Sequence, residues 1–289
     1  MKPAVFDYVA PSSLPGVLRL LGDDDREVKV LAGGQSLIPM LNMRLARPEL
    51  LVDITRVAEL SELREDDAGR LHIGAAVRQS TAAQAREVQT GWPLLAAAIG
   101  HIGHPQIRNR GTICGSLVHH DPAAELPATA IALDAEFVLA SGRGRRRVPA
   151  AEFFVATFQT AVEPDELLVE VVFPPATGNG WAFAELSRTH GDFATTGVAV
   201  SLTRSGSTVD AARIVFCGVG STPVRVSAAE QALIGGDAGE ADRQEAHRRA
   251  VAALDPPGDI HASSEYRREV AAVLLDRAIL EAWERCHVR

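Results

Sequence analysis

Cysteine is scarce: Cys114, Cys217 and Cys286 lie far apart in a chain of 289 residues. No two of them form a CxxC pair, which argues against a disulfide framework. Three thiols also cannot supply a Cys-only structural zinc or the four ligands of an iron–sulfur cluster. Long apolar runs are missing as well, and none reaches the roughly 20 residues of a membrane span. The opening Met1-Lys2-Pro3-Ala4-Val5-Phe6-Asp7-Tyr8 lacks the hydrophobic segment of an export signal. A cytoplasmic location is the expectation. Basic charge is in deficit, with 29 Lys and Arg against 37 Asp and Glu and a net charge of −8. This argues against nucleic acid as a partner, because such binding needs a basic face. The one basic run, Arg143-Gly144-Arg145-Arg146-Arg147, reads as a solvated hairpin tip. There is no Gly-Lys-Ser/Thr loop, no GxGxxG spacing, no Ser-His-Asp order and no isolated carboxylate pair. That pattern predicts no catalytic side chain and suits a protein whose chemistry belongs to a bound cofactor.

What is present is ample core-forming material, at 46% hydrophobic residues, in a chain long enough for two or three lobes. Residues 3–60 alternate strand and helix signals. Ser12 or Ser13 caps a helix that Pro15 opens, and Val28 to Leu31 and Leu50 to Ile54 read as strands. A helix or turn spans Leu37 to Leu45. Residues 61–175 form a mixed lobe, with strands at Leu71–Ala75, at a hairpin turning on Ser141-Gly142, and at Leu167–Phe173. Its helices are expected from Ser80/Thr81 to about Val88, from Pro93 to Ile102 and from Glu125 to Leu133. The stretch Pro174 to Gly180 reads as a linker. Beyond it come three strands, Trp181–Leu186, Gly197–Thr203 and Ala212–Gly218, and helices near 226–235, 239–254 and 263–284.

Two small-residue turns carry the functional signal. In Ala32-Gly33-Gly34-Gln35-Ser36-Leu37 the glycines remove Cβ atoms at a strand end, so a ligand can approach main-chain amides beside the Ser36 hydroxyl. In Arg108-Asn109-Arg110-Gly111-Thr112-Ile113-Cys114-Gly115-Ser116 two bare positions and a hydroxyl stand next to Arg108 and Arg110, which can offset phosphate charge. This second turn is expected to join a helix to a strand. Each turn by itself is compatible with a plain loop. The nearby His101, His104, His119 and His120 do not have the spacing of converging ligands, so no metal site is assigned. Cys114 reads as a small packing residue. Asp121-Pro122 reads as a helix start or as an acceptor for sugar or ribityl hydroxyls.

Together these turns resemble the FAD-binding medium subunit of the molybdenum hydroxylases, the family of aerobic carbon monoxide dehydrogenase and xanthine dehydrogenase. The resemblance extends through His120-Asp121-Pro122-Ala123-Ala124-Glu125, Asp165-Glu166-Leu167-Leu168 and Gly191-Asp192-Phe193-Ala194. It ends with Gly218-Val219-Gly220-Ser221-Thr222-Pro223-Val224-Arg225 and Glu265-Tyr266-Arg267-Arg268. It implies an α+β fold: a two-lobed FAD-binding domain of the vanillyl-alcohol-oxidase (PCMH) type, followed by a lobe with a three-stranded sheet and a helix bundle. The implied boundaries are residues 1–176, with lobes at about 1–56 and 57–176, and residues 177–289.

The same resemblance places the double-glycine turn, Ala32 to Leu37, on the pyrophosphate and the turn Arg110 to Ser116 on the other side of the cofactor. Ile102, Asp121, Glu125 and Leu168 are implied contacts, and Phe193 an aromatic beside the flavin ring. Three positions depart from the family pattern: Cys114 stands where glycine is common, Glu125 where some relatives have Asp, and Phe193 where others have Tyr. The implied function is electron transfer. Electrons would come from a small subunit with two [2Fe–2S] clusters, fed by a large molybdenum–pterin subunit, in a dimer of heterotrimers. FAD in this chain would pass them to an external acceptor. A stand-alone flavin-dependent oxidase and a nucleotide-binding regulatory module are the other readings the residues leave open.

Overall fold

The computed structural model describes residues 1–286, and the last three positions of the C-terminal lobe lie outside them. The first lobe is a parallel sheet in which Leu50–Asp53 runs between Asp7–Val9 and Val28–Leu31. Parallel neighbours need crossovers, and the first is the helix Leu14–Leu21. Ser13 caps it by accepting from the Gly16 N–H at 3.4 Å, Pro15 sits in its first turn, and Leu14, Val17 and Leu21 form its buried face. The second is the shorter helix Leu37–Asn42, which follows the double-glycine turn.

The second lobe is built on a five-stranded antiparallel sheet in the order Leu63–Glu65, Leu71–Gly74, Leu167–Phe173, Glu136–Ser141, Gly144–Pro149. The central strand Leu167–Phe173 is apolar at six of its seven positions, as burial on both faces requires. The basic run starts in the exposed hairpin turn expected of it and continues as the edge strand Gly144–Pro149, and three of its four arginines are ion-paired. Arg146 meets Glu166 at 2.7 Å, Arg147 meets Glu136 at 2.5 Å, and Arg143 in the turn meets Asp165 at 2.5 Å. Charged edge residues also protect a sheet from adding foreign strands. The expected helix from Ser80 to Val88 is two helices, Gln79–Gln84 and Arg86–Gly91, broken at Ala85, whose backbone is extended.

The third lobe has an antiparallel sheet of four strands rather than three. Gly180–Ser187, Ala194–Ser205 and Thr208–Cys217 are joined by the two-residue strand Val224–Arg225, too short to register as a periodic signal. Helices Ser227–Leu233, Glu240–Ala253 and Ser264–Arg285 cover it. Ser263 caps the last by accepting from Tyr266 N–H at 3.1 Å, and its buried face is Ala271, Leu275, Ala278, Ile279 and Ala282. Small residues let this helix lie close to the sheet. Arg285 then stacks 3.6 Å from the Trp181 ring centre, and Arg204 stacks 4.4 Å from that of Trp283. Among the described residues no helix is long and apolar enough to cross a membrane.

The second and third lobes share a core of their own. Leu94 and Ala98 from helix Pro93–His101, and Ala128 and Ala132 from helix Glu125–Ala132, pack on Phe183, Ala194, Ala199, Val215 and Cys217 of the sheet. The Gly218 N–H donates to the Pro122 carbonyl at 2.8 Å across this seam. Buried Arg267 holds the loop in place by donating to the Thr195 and Gly218 carbonyls and pairing with Asp259 at 2.7 Å.

A Cβ at Gly180 would run into the Ala282 carbonyl oxygen and the Cys286 thiol. Gly180→Ala should therefore cost about 1–3 kcal/mol through overpacking, read as a lower Tm. An unchanged Tm would show that this contact does not fix the last helix.

Candidate functional site

The two turns meet. Gly33 follows strand Val28–Leu31, and a Cβ built on it would stand 2.5 Å from the Arg110 carbonyl oxygen and 2.6 Å from the Gly111 Cα. Both partners are backbone and cannot move aside, so the position admits only glycine. Gly34 has φ +72°, in the left-handed region where a side chain is strained. Gln35 steadies the turn by donating from Nε2 to the Gly33 carbonyl at 3.0 Å. Ala32 lies opposite Gly115, its Cβ 3.8 Å from where a Gly115 Cβ would stand.

The second turn differs from the helix-to-strand connection expected. It runs from the short helix Pro105–Arg108 into the helix Ile113–His119. Thr112 is the cap, accepting from Gly115 N–H at 3.0 Å, so its hydroxyl hydrogen is still free to donate. Apolar Ile113 and Cys114 point into the core as the first turn of a helix, which is why their β-forming character misleads. The turn is stitched to residues 77–79. Gln79 N–H donates to Gly111 O at 2.9 Å, Ile113 N–H donates to Val77 O at 3.2 Å, and Arg78 bridges to Thr112. The Gln79 side chain lies under Gly111, where a Cβ would come within 2.7 Å of its Oε1.

Arg108 and Arg110 part company. Arg108 donates to the Ile102 and Gly103 carbonyls at 2.7 and 2.9 Å, so it braces the chain rather than offsetting phosphate. Arg110 stays at the turn beside Gly33. The histidines are structural too. His120 ends the helix in a left-handed conformation, with its Nδ1 3.1 Å from the Gln159 carbonyl oxygen. Burial lowers the pKa of both His119 and His120. Burial likewise pushes the Cys114 thiol up, which leaves it protonated and inert.

The other expected residues are spread over several elements. Ile102 ends helix Pro93–His101, and Leu168 is buried on the central strand. Asp121 accepts from Ala123 N–H at 2.9 Å, organising a turn, and the helix begins only at Glu125. Phe193 is 65% exposed beside Gly191. A Cβ on Gly191 would strike the His104 ring at 2.6 Å, so the Phe193 loop is pressed onto the segment between Ile102 and the second turn. Ser36 and Leu37 start helix Leu37–Asn42, and Ser116 lies within helix Ile113–His119.

Three polar groups far apart in sequence meet at the seam between the second and third lobes. His101 Nδ1 is 3.4 Å from Glu185 Oε1, the Glu185 side chain is 4% exposed, and its Oε2 is buried without a hydrogen-bond partner. Glu125, 6% exposed, lies close enough to feel both charges. Burial, reinforced by the Glu185 charge, pushes the Glu125 carboxyl up to about 8. The hydrogen bond to Glu185 raises His101.

These features suit a dinucleotide: a glycine-only cradle of backbone amides, an unused hydroxyl hydrogen, guanidinium charge, and carboxyl acceptors further along. Comparison with known proteins gives the same picture over the full length. Residues 4–176 match the model of the FAD binding domain in molybdopterin dehydrogenase, and residues 181–282 that of the CO dehydrogenase flavoprotein C-terminal domain. The chain is 43% identical to the 6-hydroxypseudooxynicotine dehydrogenase complex subunit alpha of Paenarthrobacter nicotinovorans, over 99% of this chain and 97% of that one. It is 40% identical to the carbon monoxide dehydrogenase medium chain of Hydrogenophaga pseudoflava, over 99% and 100%. A chain of quinoline 2-oxidoreductase from Pseudomonas putida 86 superposes with a TM-score of 0.95 at 36% identity, over 98% and 99%.

The seam makes stability depend on pH. A raised Glu125 pKa means that its contribution is complete below the ordinary carboxyl value of 4.5 and is lost as pH rises through about 8. Glu125→Gln should flatten the fall in Tm of the cofactor-free chain between pH 4.5 and 8. Thermal melts across that window check this, and a slope as steep as in the wild type would clear Glu125 as its cause.

Proposed function

We infer the function from one premise: this chain belongs to the family of FAD-binding medium subunits of the molybdenum hydroxylases. It is the flavoprotein component of a multi-subunit oxidoreductase, and substrate oxidation takes place on another subunit. The observation that carries this reading is the closure of Gly33 on Arg110-Gly111 in a chain whose whole length matches such subunits.

Bound FAD supplies the redox chemistry, taking up electrons and passing them on singly or in pairs. The residues of this chain place and tune it. In our reading the amides of Ala32 to Ser36 with the start of helix Leu37–Asn42, and those of Arg110 to Ser116, hold the pyrophosphate, with the Thr112 hydroxyl as a further donor. Asp121 and Glu125 accept from sugar or ribityl hydroxyls, Ile102 and Leu168 supply apolar walls, and Phe193 covers the ring from the seam. Residues 1–176 then form the FAD-binding domain, and residues 177–289 close over it.

The three cysteines are buried and unpaired, which leaves none to ligate a cluster. The electron donors are therefore assigned to partners: a small subunit with [2Fe–2S] clusters and a large molybdopterin subunit, in a dimer of heterotrimers in the cytoplasm.

Gly33→Ala should push the two turns apart and strip the purified protein of flavin absorbance, while far-UV circular dichroism stays native. Full FAD occupancy in that variant would contradict the cradle. The chain purified alone should hydroxylate no substrate; turnover free of iron and molybdenum would favour a stand-alone oxidase instead.

A further inference from the structure

Many arginines of this molecule meet carboxylates, as Arg146 does with Glu166, Arg225 with Glu230 and Arg243 with Asp276. Arg78 and Arg110 do not: among the described residues neither forms an ion pair. Instead the Arg78 Nη1 donates to the Arg110 carbonyl oxygen, the same oxygen that abuts Gly33. The backbone fixes Arg78 there through its bridge to Thr112 and the Gln79-to-Gly111 hydrogen bond. Burial, and then the charge of Arg110, lowers the Arg78 pKa. The carboxylate that acts on it from a distance is Asp53, already engaged by the Tyr8 hydroxyl at 2.7 Å and by the Thr55 N–H and hydroxyl at 2.8 and 2.6 Å. Two like charges are thus held at the closure of the cradle with no counter-charge of their own.

Resting on the FAD reading above, we propose that Arg78 is a phosphate-binding residue of this site, its guanidinium supplying charge and donors to the cofactor's pyrophosphate. A guanidinium carries five N–H donors in a planar fork that suits phosphate oxygens, and the bond to Arg110 uses one. Repulsion between Arg78 and Arg110 is a cost in the empty site that an anion removes. Binding therefore gains both from new charge-assisted hydrogen bonds and from relief of that repulsion. The sequence conceals this role, because Val77-Arg78-Gln79 contains no turn signal and its partner stands 32 residues away.

The test uses the full chain freed of flavin, with FAD, ADP and riboflavin as probes. Arg78→Gln keeps an N–H for the Arg110 carbonyl while removing the charge. FAD and ADP should bind roughly tenfold or more weakly, with a shallower dependence on salt. Riboflavin, which has no phosphate, should bind as in the wild type, and the Tm of the empty chain should be unchanged or higher. Arg78→Lys, which restores charge without the fork, should recover part of the loss. Unchanged FAD and ADP affinity in Arg78→Gln overturns the proposal, as does a loss that extends equally to riboflavin or follows a fall in Tm. A wild-type chain that binds neither FAD nor ADP removes the FAD reading, and this proposal with it.

Discussion

Everything at this site depends on the approach of one backbone to another, Gly33 against the carbonyl of Arg110 and the Cα of Gly111. Two loops from different lobes can present their amides to a common ligand only if they touch, and a single methyl group would part them. The segment from Ile102 to Ser116 turns that contact into a framework. Arg108 ties its start to the Ile102 and Gly103 carbonyls, residues 77–79 stitch its middle, and Thr112 caps the helix at its end. Gly191 then rests on His104 within the same segment. One loop therefore links the parallel sheet of the first lobe to the antiparallel sheet of the third.

The seam between the second and third lobes combines two kinds of contact. Its centre is packed with small side chains, Ala98, Ala128, Ala132, Ala194 and Ala199, which let two helices sit close against the sheet. Its rim is polar, with His101, Glu125 and Glu185 in a confined space. Burial at this rim resists full charge on Glu125, which is why its carboxyl departs from ordinary behaviour. A rigid apolar centre beside an unsettled polar rim suits a place where a ligand with many hydroxyls is held.

The sequence made regular elements with local causes readable. Ser13 and Ser263 cap the helices expected of them, the alternating lobes follow from strand and helix periodicity, and buried Cys114 behaves as a packing residue. The double-glycine turn was legible because two missing side chains at a strand end are a local event. Long-range effects were not legible. Whether Arg108 braces a carbonyl or faces a ligand depends on which way a turn of helix points it, and Arg78 reaches residue 110 only through a bridge. The pairing of Arg143, Arg146 and Arg147 hid for the same reason, since Glu136 sits on the neighbouring strand and Asp165 and Glu166 in the turn before the central one. Ile113 and Cys114 misled because β-forming residues in the first turn of a buried helix look like a strand.

The seam also sets terms for recombination among relatives. Residues 174–180 look like a natural place to join the front of one such protein to the back of another. Yet the back half reaches forward at several points, with Gly218 on Pro122, Glu185 on His101 and Gly191 on His104. Arg267, from the far end of the chain, holds the loop that makes the first of these contacts. A hybrid cut at the linker would inherit one side of each pair from each parent. These two halves are thus bound to vary together, and a successful exchange has to carry Pro122, His101 and His104 along with the half that rests on them.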